Sequence, residues 1–269
     1  MKDILARAQE ATLLAFAQER VLIAFDFDGT LAPIVRDPKA AAMRARTARL
    51  LAEVARLYPC AVLSGRARAD VMAKVDGIPL RAVFGNHGME PSPNLRTWRK
   101  QVARWHAQIA AALPPIPGVA IENKGVSLAI HYRQARARKA VHELVLEAVE
   151  CLRGIRIVEG KMVVNILPAG APNKGSSLIS LRNRLRCNSA IYVGDDDNDE
   201  DVFALAGHER LLGIRVGHSR RSQASYFLLG QSSIDLLLAQ LAEFRQMPPT
   251  RPARPPTGNR PPTRSPQVE

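Results

Sequence analysis

Cysteine is scarce in this chain. Three occur, Cys60, Cys151 and Cys187, widely spaced and odd in number, which argues against a disulfide framework or a zinc cluster and points to a reducing, cytoplasmic setting. Aromatic residues make up only 5% of the chain, too few for the stacking platforms that single-stranded nucleic acid requires. No apolar run approaches the roughly 18 residues that cross a membrane. The stretch from Met1 to Arg20 mixes Asp3, Arg7, Glu10 and Glu19 and lacks the basic-then-apolar layout of a secretion signal. Acid is also in the minority, with 25 Asp and Glu against 38 Lys and Arg, for a net charge of +13.

The excess base is unevenly spread. Between Arg96 and Ala140 there are nine Lys or Arg and one acid, Glu122. A basic surface draws nucleic acid, anionic membranes or small anions. No nucleic-acid motif accompanies this one, so an anionic small-molecule substrate is the simpler expectation, with no membrane partner and a monomer as the acting unit. The segment from Gln246 to Glu269 holds eight of the 19 prolines, has almost no apolar content, and is expected to be disordered.

The 46% apolar content supports a real core, and its pattern is informative. The run Val21-Leu22-Ile23-Ala24-Phe25 reads as a short buried strand. Asp26-Phe27-Asp28-Gly29-Thr30 follows it directly. Carboxylates two residues apart lie on one face of an extended chain, at the carboxyl end of a strand, where open α/β sheets build their sites. Such a pair needs a cation or a shared proton, and the hard, oxygen-seeking cation is Mg²⁺. Taken alone, the segment is equally an ordinary Asp-Gly turn.

The flanking pattern supports the first reading. Strands are expected at 21–25, 60–63, 81–84, 189–193 and 211–216, with helices over 2–18, 40–57, 68–74, 175–186 and 233–244. This alternation predicts a doubly wound, Rossmann-like parallel sheet. Between them, helices at 95–112 and 135–153 and strands at 119–122, 126–132, 155–158 and 162–167 predict an inserted α+β layer with an antiparallel sheet.

Four loops carry chemistry suited to phosphate. Beyond the first Asp pair, Ser64-Gly65-Arg66 offers a hydroxyl and free backbone N–H groups. Asn173-Lys174-Gly175 places a cation at a helix start. Gly194-Asp195-Asp196-Asp197-Asn198-Asp199-Glu200-Asp201 follows another strand. This acidic run is not a Ca²⁺ loop, because Glu200 and Ala206 stand where Gly and Glu are needed. Each loop alone has a bland reading as a solvated turn or helix end, but the four in this order are much more specific.

The order resembles the haloacid dehalogenase superfamily of phosphotransferases, over residues 21–203. Within it the chain is similar to the trehalose-6-phosphate phosphatase family, through Asp26-Phe27-Asp28-Gly29-Thr30, Leu63-Ser64-Gly65-Arg66, Gly85-Asn86-His87-Gly88-Met89-Glu90, Ser127 to Arg133, Asn173-Lys174-Gly175 and Gly194-Asp195-Asp196. The resemblance implies a catalytic core over 1–90 and 169–245 and a C2-type cap over 91–168. It implies Asp26 as nucleophile and Asp28 as acid and base. Ser64, Gly65 and Lys174 would hold the phosphate, Asp26, Asp28 and Asp195 would hold Mg²⁺, and Asp196 and Asp199 would support them. Glu122, Lys124, Lys161 and Asn165, with Arg66 beside them, would meet the sugar. Asn165 stands where the family expects Glu, and Asn198 where it expects Thr. Trehalose 6-phosphate is therefore the expected substrate, while a sucrose, mannosylglycerate or glucosylglycerol phosphate, or a non-catalytic sugar-phosphate or nucleic-acid-binding role, stays open. His131, Tyr132, Arg133, Trp98 and Trp105 read as cap structure, and His87 and Glu90 as cleft neighbours.

Overall fold

The computed structural model describes residues 1–248. Beyond Pro248, the expectation of a disordered tail falls outside the described residues. A seven-stranded sheet runs from edge to edge in the order Lys2–Asp3, Tyr226–Leu228, Leu211–Val216, Ser189–Gly194, Val21–Phe25, Cys60–Leu63 and Ala82–Phe84. Every neighbouring pair is parallel. The central strands are continuously apolar because both sheet faces are covered. Val21, Ile23 and Phe25 point to one side, where Leu51, Val54, Leu237 and Leu241 from the helices Ala45–Leu57 and Ile234–Gln246 pack on them. Leu22 and Ala24 point to the other, with Leu178 and Leu181 of the helix Lys174–Arg184 and Phe203. This two-residue alternation fills two cores from one strand.

Three helix boundaries need correction, and one strand, Tyr226–Leu228, has no counterpart among the expected elements. The first helix is confined to Glu10–Ala17, because Lys2–Asp3 pairs with Tyr226–Phe227 as an edge strand and Ile4 is buried beside it. The second begins at Ala45, not Ala40. Pro38–Ala40 forms a separate 3₁₀ turn capped by the Asp37 side chain, and Ala41 is extended. The second helix of the insert is shorter than 135–153, at Arg138–Glu150. The strand Tyr226–Leu228 is three residues long, too short for periodicity to register.

The inserted layer has four antiparallel strands in the order Ala120–Asn123, Leu128–His131, Val163–Pro168 and Ile155–Gly160. The helices Leu95–Ala112 and Arg138–Glu150 cover one face. Val102, Trp105 and Ile109 from the first, and Val145 and Val149 from the second, bury Leu128, Ile130, Val164 and Ile166. Directly opposed residues share a face of the sheet. Glu122, Ala129, Asn165 and Val158 therefore form one row on the opposite side, turned toward the parallel sheet. A small cluster of Met89, Trp98, Val126, Leu167 and Ala171 closes the seam between the layers. Trp98 belongs to this seam, whereas Trp105 lies in the cap's own core.

Candidate active site

Strand ends build the site. Asp26 follows the central strand and fixes its backbone by donating its N–H to the Val193 carbonyl of the neighbouring strand, 2.8 Å away. Asp195 follows that neighbour. The two carboxylates thus meet because adjacent parallel strands end in register. Gly29 makes room between them. It adopts φ +79°, and a Cβ there would lie 2.2 Å from Asp195 Oδ2. Gly29→Ala therefore both strains the turn and displaces Asp195. It is expected to lower phosphate-release activity at least about tenfold. A variant with wild-type activity would show that the turn tolerates a side chain.

Lys174 opens its helix, whose N-terminus carries a reciprocal cap: Asn173 Oδ1 accepts from the Ser176 N–H at 2.8 Å and Ser176 Oγ accepts from the Asn173 N–H at 3.0 Å. The Lys174 side chain is fully buried. Its Nζ lies 3.0 Å from Asp26 Oδ1 and donates to Asp199 Oδ1 at 2.7 Å. Burial alone would discharge the ammonium, but Asp199 and Asp26 outweigh it and hold the lysine charged. Asp199 also accepts from the Tyr192 hydroxyl at 2.6 Å and the Asp196 N–H at 2.9 Å. Asp199 therefore fixes Lys174, in keeping with a supporting place.

Asp26, Asp195 and Asp199 offer carboxylate oxygens within 4.8 Å of one another. Burial, and then the neighbouring carboxylates against the pull of Lys174, pushes Asp26 well above the usual carboxylate range. Burial likewise pushes Asp195 up to about 6, against the Lys161 ammonium. Asp195 Oδ1 is buried without a hydrogen-bond partner. An oxygen-rich cluster that contains an orphaned buried oxygen fits a hard divalent cation. The remaining expected ligand, Asp28, points elsewhere with its side chain. Arg66 donates to Asp28 through Nε at 2.6 Å and Nη2 at 2.7 Å, in a two-pronged pair. The same guanidinium reaches Asp70 at 2.7 Å and the Pro38 carbonyl at 2.6 Å. Its donors are thus committed inside the core, and it holds Asp28 rather than reaching toward the cap. Asp196 makes no hydrogen bond to Lys174. Its Oδ2 accepts from Asn198 at 3.3 Å.

Three cap side chains descend on these loops. Lys161 Nζ meets Asp195 Oδ2 at 2.8 Å. Lys124 Nζ donates to the Gly65 carbonyl at 3.2 Å and lies 4.0 Å from Glu122 Oε2. Ser127 Oγ donates to Asn86 Oδ1 at 2.6 Å in a buried bond. Ser64 lies at the foot of this group, its Oγ accepting the Arg66 N–H at 3.2 Å. Glu122 accepts from His131 Nε2 at 2.8 Å, and that bond pulls its carboxyl below the ordinary range. Burial lowers the Lys124 ammonium, opposed by Glu122. Asn165 is buried, with its Nδ2 tied to the Val158 carbonyl at 3.1 Å. Arg133 reaches only the Lys161 carbonyl, at 3.3 Å, and Tyr132 packs in the cap core, so both are structural. Glu90 accepts from Asn86 Nδ2 at 3.0 Å and the Arg68 N–H at 2.7 Å and shapes the loop beneath the seam.

Tyr192 is a part of this arrangement that sequence reasoning did not single out. Tyr192 carried a usable signal. It is the sole polar-tipped side chain in the strand interior Ala190–Val193, and a buried phenol requires a partner. Asn86 and Ser127 stand in segments that carry the family resemblance, but their bond to each other left no sequence signal because it joins residues from different layers.

A parallel sheet delivering Asp26, Ser64, Lys174 and Asp195 to one end, beneath an α+β cap, is the architecture of haloacid dehalogenase phosphatases. The structure matches the C. albicans trehalose-6-phosphate phosphatase C-terminal domain with a TM-score of 0.71 at 22% identity, covering 87% of this chain and 96% of that one. It matches Aspergillus fumigatus trehalose-6-phosphate phosphatase with a TM-score of 0.62 at 25% identity, covering 90% and 99%. A family model described as trehalose-phosphatase matches residues 24–232, and the chain belongs to that family. It is 35% identical over 239 residues to a trehalose-phosphate phosphatase of Mycobacterium tuberculosis, covering 82% of this chain. It spans 59% of the length of that relative.

Proposed function

We propose that the chain hydrolyses trehalose 6-phosphate to trehalose and inorganic phosphate in two steps. The observation that carries this reading is the Asp26 carboxylate, 5% exposed and 3.0 Å from the Lys174 ammonium, beside Asp195 at the end of the adjacent strand. An Asp26 oxygen attacks phosphorus and the bond from phosphorus to the sugar oxygen breaks, leaving an aspartyl-phosphate. Asp28 gives its proton to the departing sugar oxygen. It then takes one from the water that attacks the aspartyl-phosphate, which releases phosphate and restores Asp26. The bidentate Arg66 contact holds Asp28 as a carboxylate, the form that takes the proton from water, and one prong must open for Asp28 to carry the proton it gives to the sugar oxygen. Ser64, the Gly65 amide and Lys174 bind the oxygens on which transition-state charge collects. Asp26, Asp195 and the Asp28 backbone carbonyl would hold Mg²⁺, which supplies further neutralisation of the phosphate charge.

The cap row supports a disaccharide. Glu122 and Asn165 flank the small Ala129 on the side turned to the site, and Lys124 and Lys161 add donors at either end. Side chains of this kind suit a partner made mostly of hydroxyls. The cap is assigned to 91–168 and the core to 1–90 with 169–245 in this reading. Three free cysteines agree with a reducing, cytoplasmic setting, and no helix among the described residues is long and apolar enough to cross a membrane. A monomer suffices for every role assigned.

Phosphate release measured across trehalose 6-phosphate and sucrose, mannosylglycerate and glucosylglycerol phosphates tests the substrate. Trehalose 6-phosphate is expected to give the highest kcat/KM, and a higher value for any other overturns the assignment. Chelation with EDTA is expected to remove activity and excess Mg²⁺ to restore it. Activity indifferent to the chelator would exclude the metal from the reaction.

A further inference from the structure

Among the unpartnered buried polar atoms near the site, two belong to one imidazole. His87 is 3% exposed, and both of its ring nitrogens lack a hydrogen bond. An imidazole in that state forfeits the solvation of a donor and an acceptor at once. The backbone is left-handed, with φ 59° and ψ 30°, a region that few side chains adopt and that His enters more readily than most. It is held there by its own N–H on the Ser64 carbonyl at 2.9 Å and by the Asn86 N–H on the Arg66 carbonyl at 2.6 Å. The loop that bears Ser64 and Gly65 therefore sets the position of the ring.

The surroundings indicate what would satisfy it. The ring lies against Gly65, where an added Cβ would stand 2.8 Å from Cε1 and 3.1 Å from Nε2. On the cap side the Asn165 amide neighbours the ring without completing either nitrogen's bond. Lys124 anchors on the Gly65 carbonyl at the same place. The ring is thus set between the phosphate loop and the cap row, where the part of a substrate just beyond phosphorus must lie. Burial, with Lys124, Lys174 and Arg156 nearby, keeps the imidazole neutral. A neutral imidazole has one N–H donor and one lone pair, and a hydroxyl is the ligand group that both accepts and donates.

We infer that His87 binds a hydroxyl of the sugar unit bearing the phosphate, through its two buried ring nitrogens, and so contributes to choosing a sugar phosphate over a simpler phosphate ester. The inference rests on the sugar-phosphate reading above. It assigns His87 to binding and leaves the phosphoryl steps to Asp26 and Asp28.

The test compares trehalose 6-phosphate with p-nitrophenyl phosphate, which has no sugar hydroxyl. His87→Ala is expected to lower kcat/KM on trehalose 6-phosphate about thirtyfold, mainly through KM, as two lost hydrogen bonds imply. The loss on p-nitrophenyl phosphate is expected to be at least about tenfold smaller. His87→Asn accepts the left-handed backbone and keeps a donor and an acceptor. It is expected to recover part of the affinity, and it carries the comparison if the alanine variant does not fold. Equal losses on both substrates, a loss in kcat with KM unchanged, or no loss would each overturn the inference. A wild-type protein that prefers another sugar phosphate would instead overturn the substrate reading, and the His87 comparison would be made on that ester. Hydrolysis of p-nitrophenyl phosphate with no sugar phosphate turned over would overturn both.

Discussion

Replacing Asp26 with Asn is expected to cut phosphate release about a thousandfold or more while the fold survives. Asn keeps the shape of the side chain and removes the nucleophilic oxygen charge. In energy terms this is roughly 4 kcal/mol of barrier. The fold should tolerate the change for a reason visible at the site. Asp26 is buried, and Asp199, Asp195 and Asp28 all oppose its ionisation while Lys174 alone favours it among the largest influences. Neutralising it relieves carboxylate repulsion, and Lys174 keeps its 2.7 Å bond to Asp199. Two measurements check this: steady-state phosphate release, and a thermal midpoint that should stay within a few degrees of wild type. Acid quenching during turnover should trap protein-bound phosphate on the wild type and none on the variant. More than about a hundredth of wild-type turnover would sink the nucleophile assignment.

Lys174→Met is expected to damage stability and activity together. The ammonium is fully buried between Asp26 and Asp199. Met preserves most of the volume but leaves two buried carboxylates without their cation. Removing one partner of a buried ion pair costs about 3–5 kcal/mol, which for a chain of this size corresponds to a midpoint lowered by roughly 10 °C. Phosphate release should fall to background, because the charge that meets the equatorial oxygens is gone. Adding Asp199→Asn should restore part of the midpoint and none of the activity. The double variant separates the two roles, since the residues are in contact and their effects should not add. A midpoint unchanged by Lys174→Met would show that these carboxylates are protonated in the folded protein.

Much of this was legible in the chain. The apolar run 21–25 followed by Asp26-x-Asp28, and the run 189–193 followed by Gly194-Asp195, locate strand ends without reference to anything distant. Asn173-Lys174 at a helix start is equally local. These signals sit within a few residues, so periodicity and turn chemistry expose them. Side-chain destinations were less accessible. The Arg66 fork on Asp28 depends on how the second strand's loop lies beside the first. The row Glu122–Ala129–Asn165 depends on strand register, and a slip of one residue would turn all three away. The edge strand Lys2–Asp3 exists because it finds Tyr226–Phe227 across nearly the whole described chain. Pairings made by tertiary packing leave little trace in local sequence.

The pairing of Val21–Phe25 with Ser189–Gly194 has a consequence for how the chain acquires its site. These neighbours in the sheet lie roughly 170 positions apart, a separation that slows folding because the loop must be closed before the contact rewards it. The whole inserted layer is synthesised between them. A chain emerging from the ribosome therefore carries Asp26 and Asp28 long before Lys174 and Asp195 exist. The acidic cluster that fits a cation forms only when the final central strand docks. A cation held by this cluster would therefore be captured late in biogenesis, by a chain whose two layers are both in place.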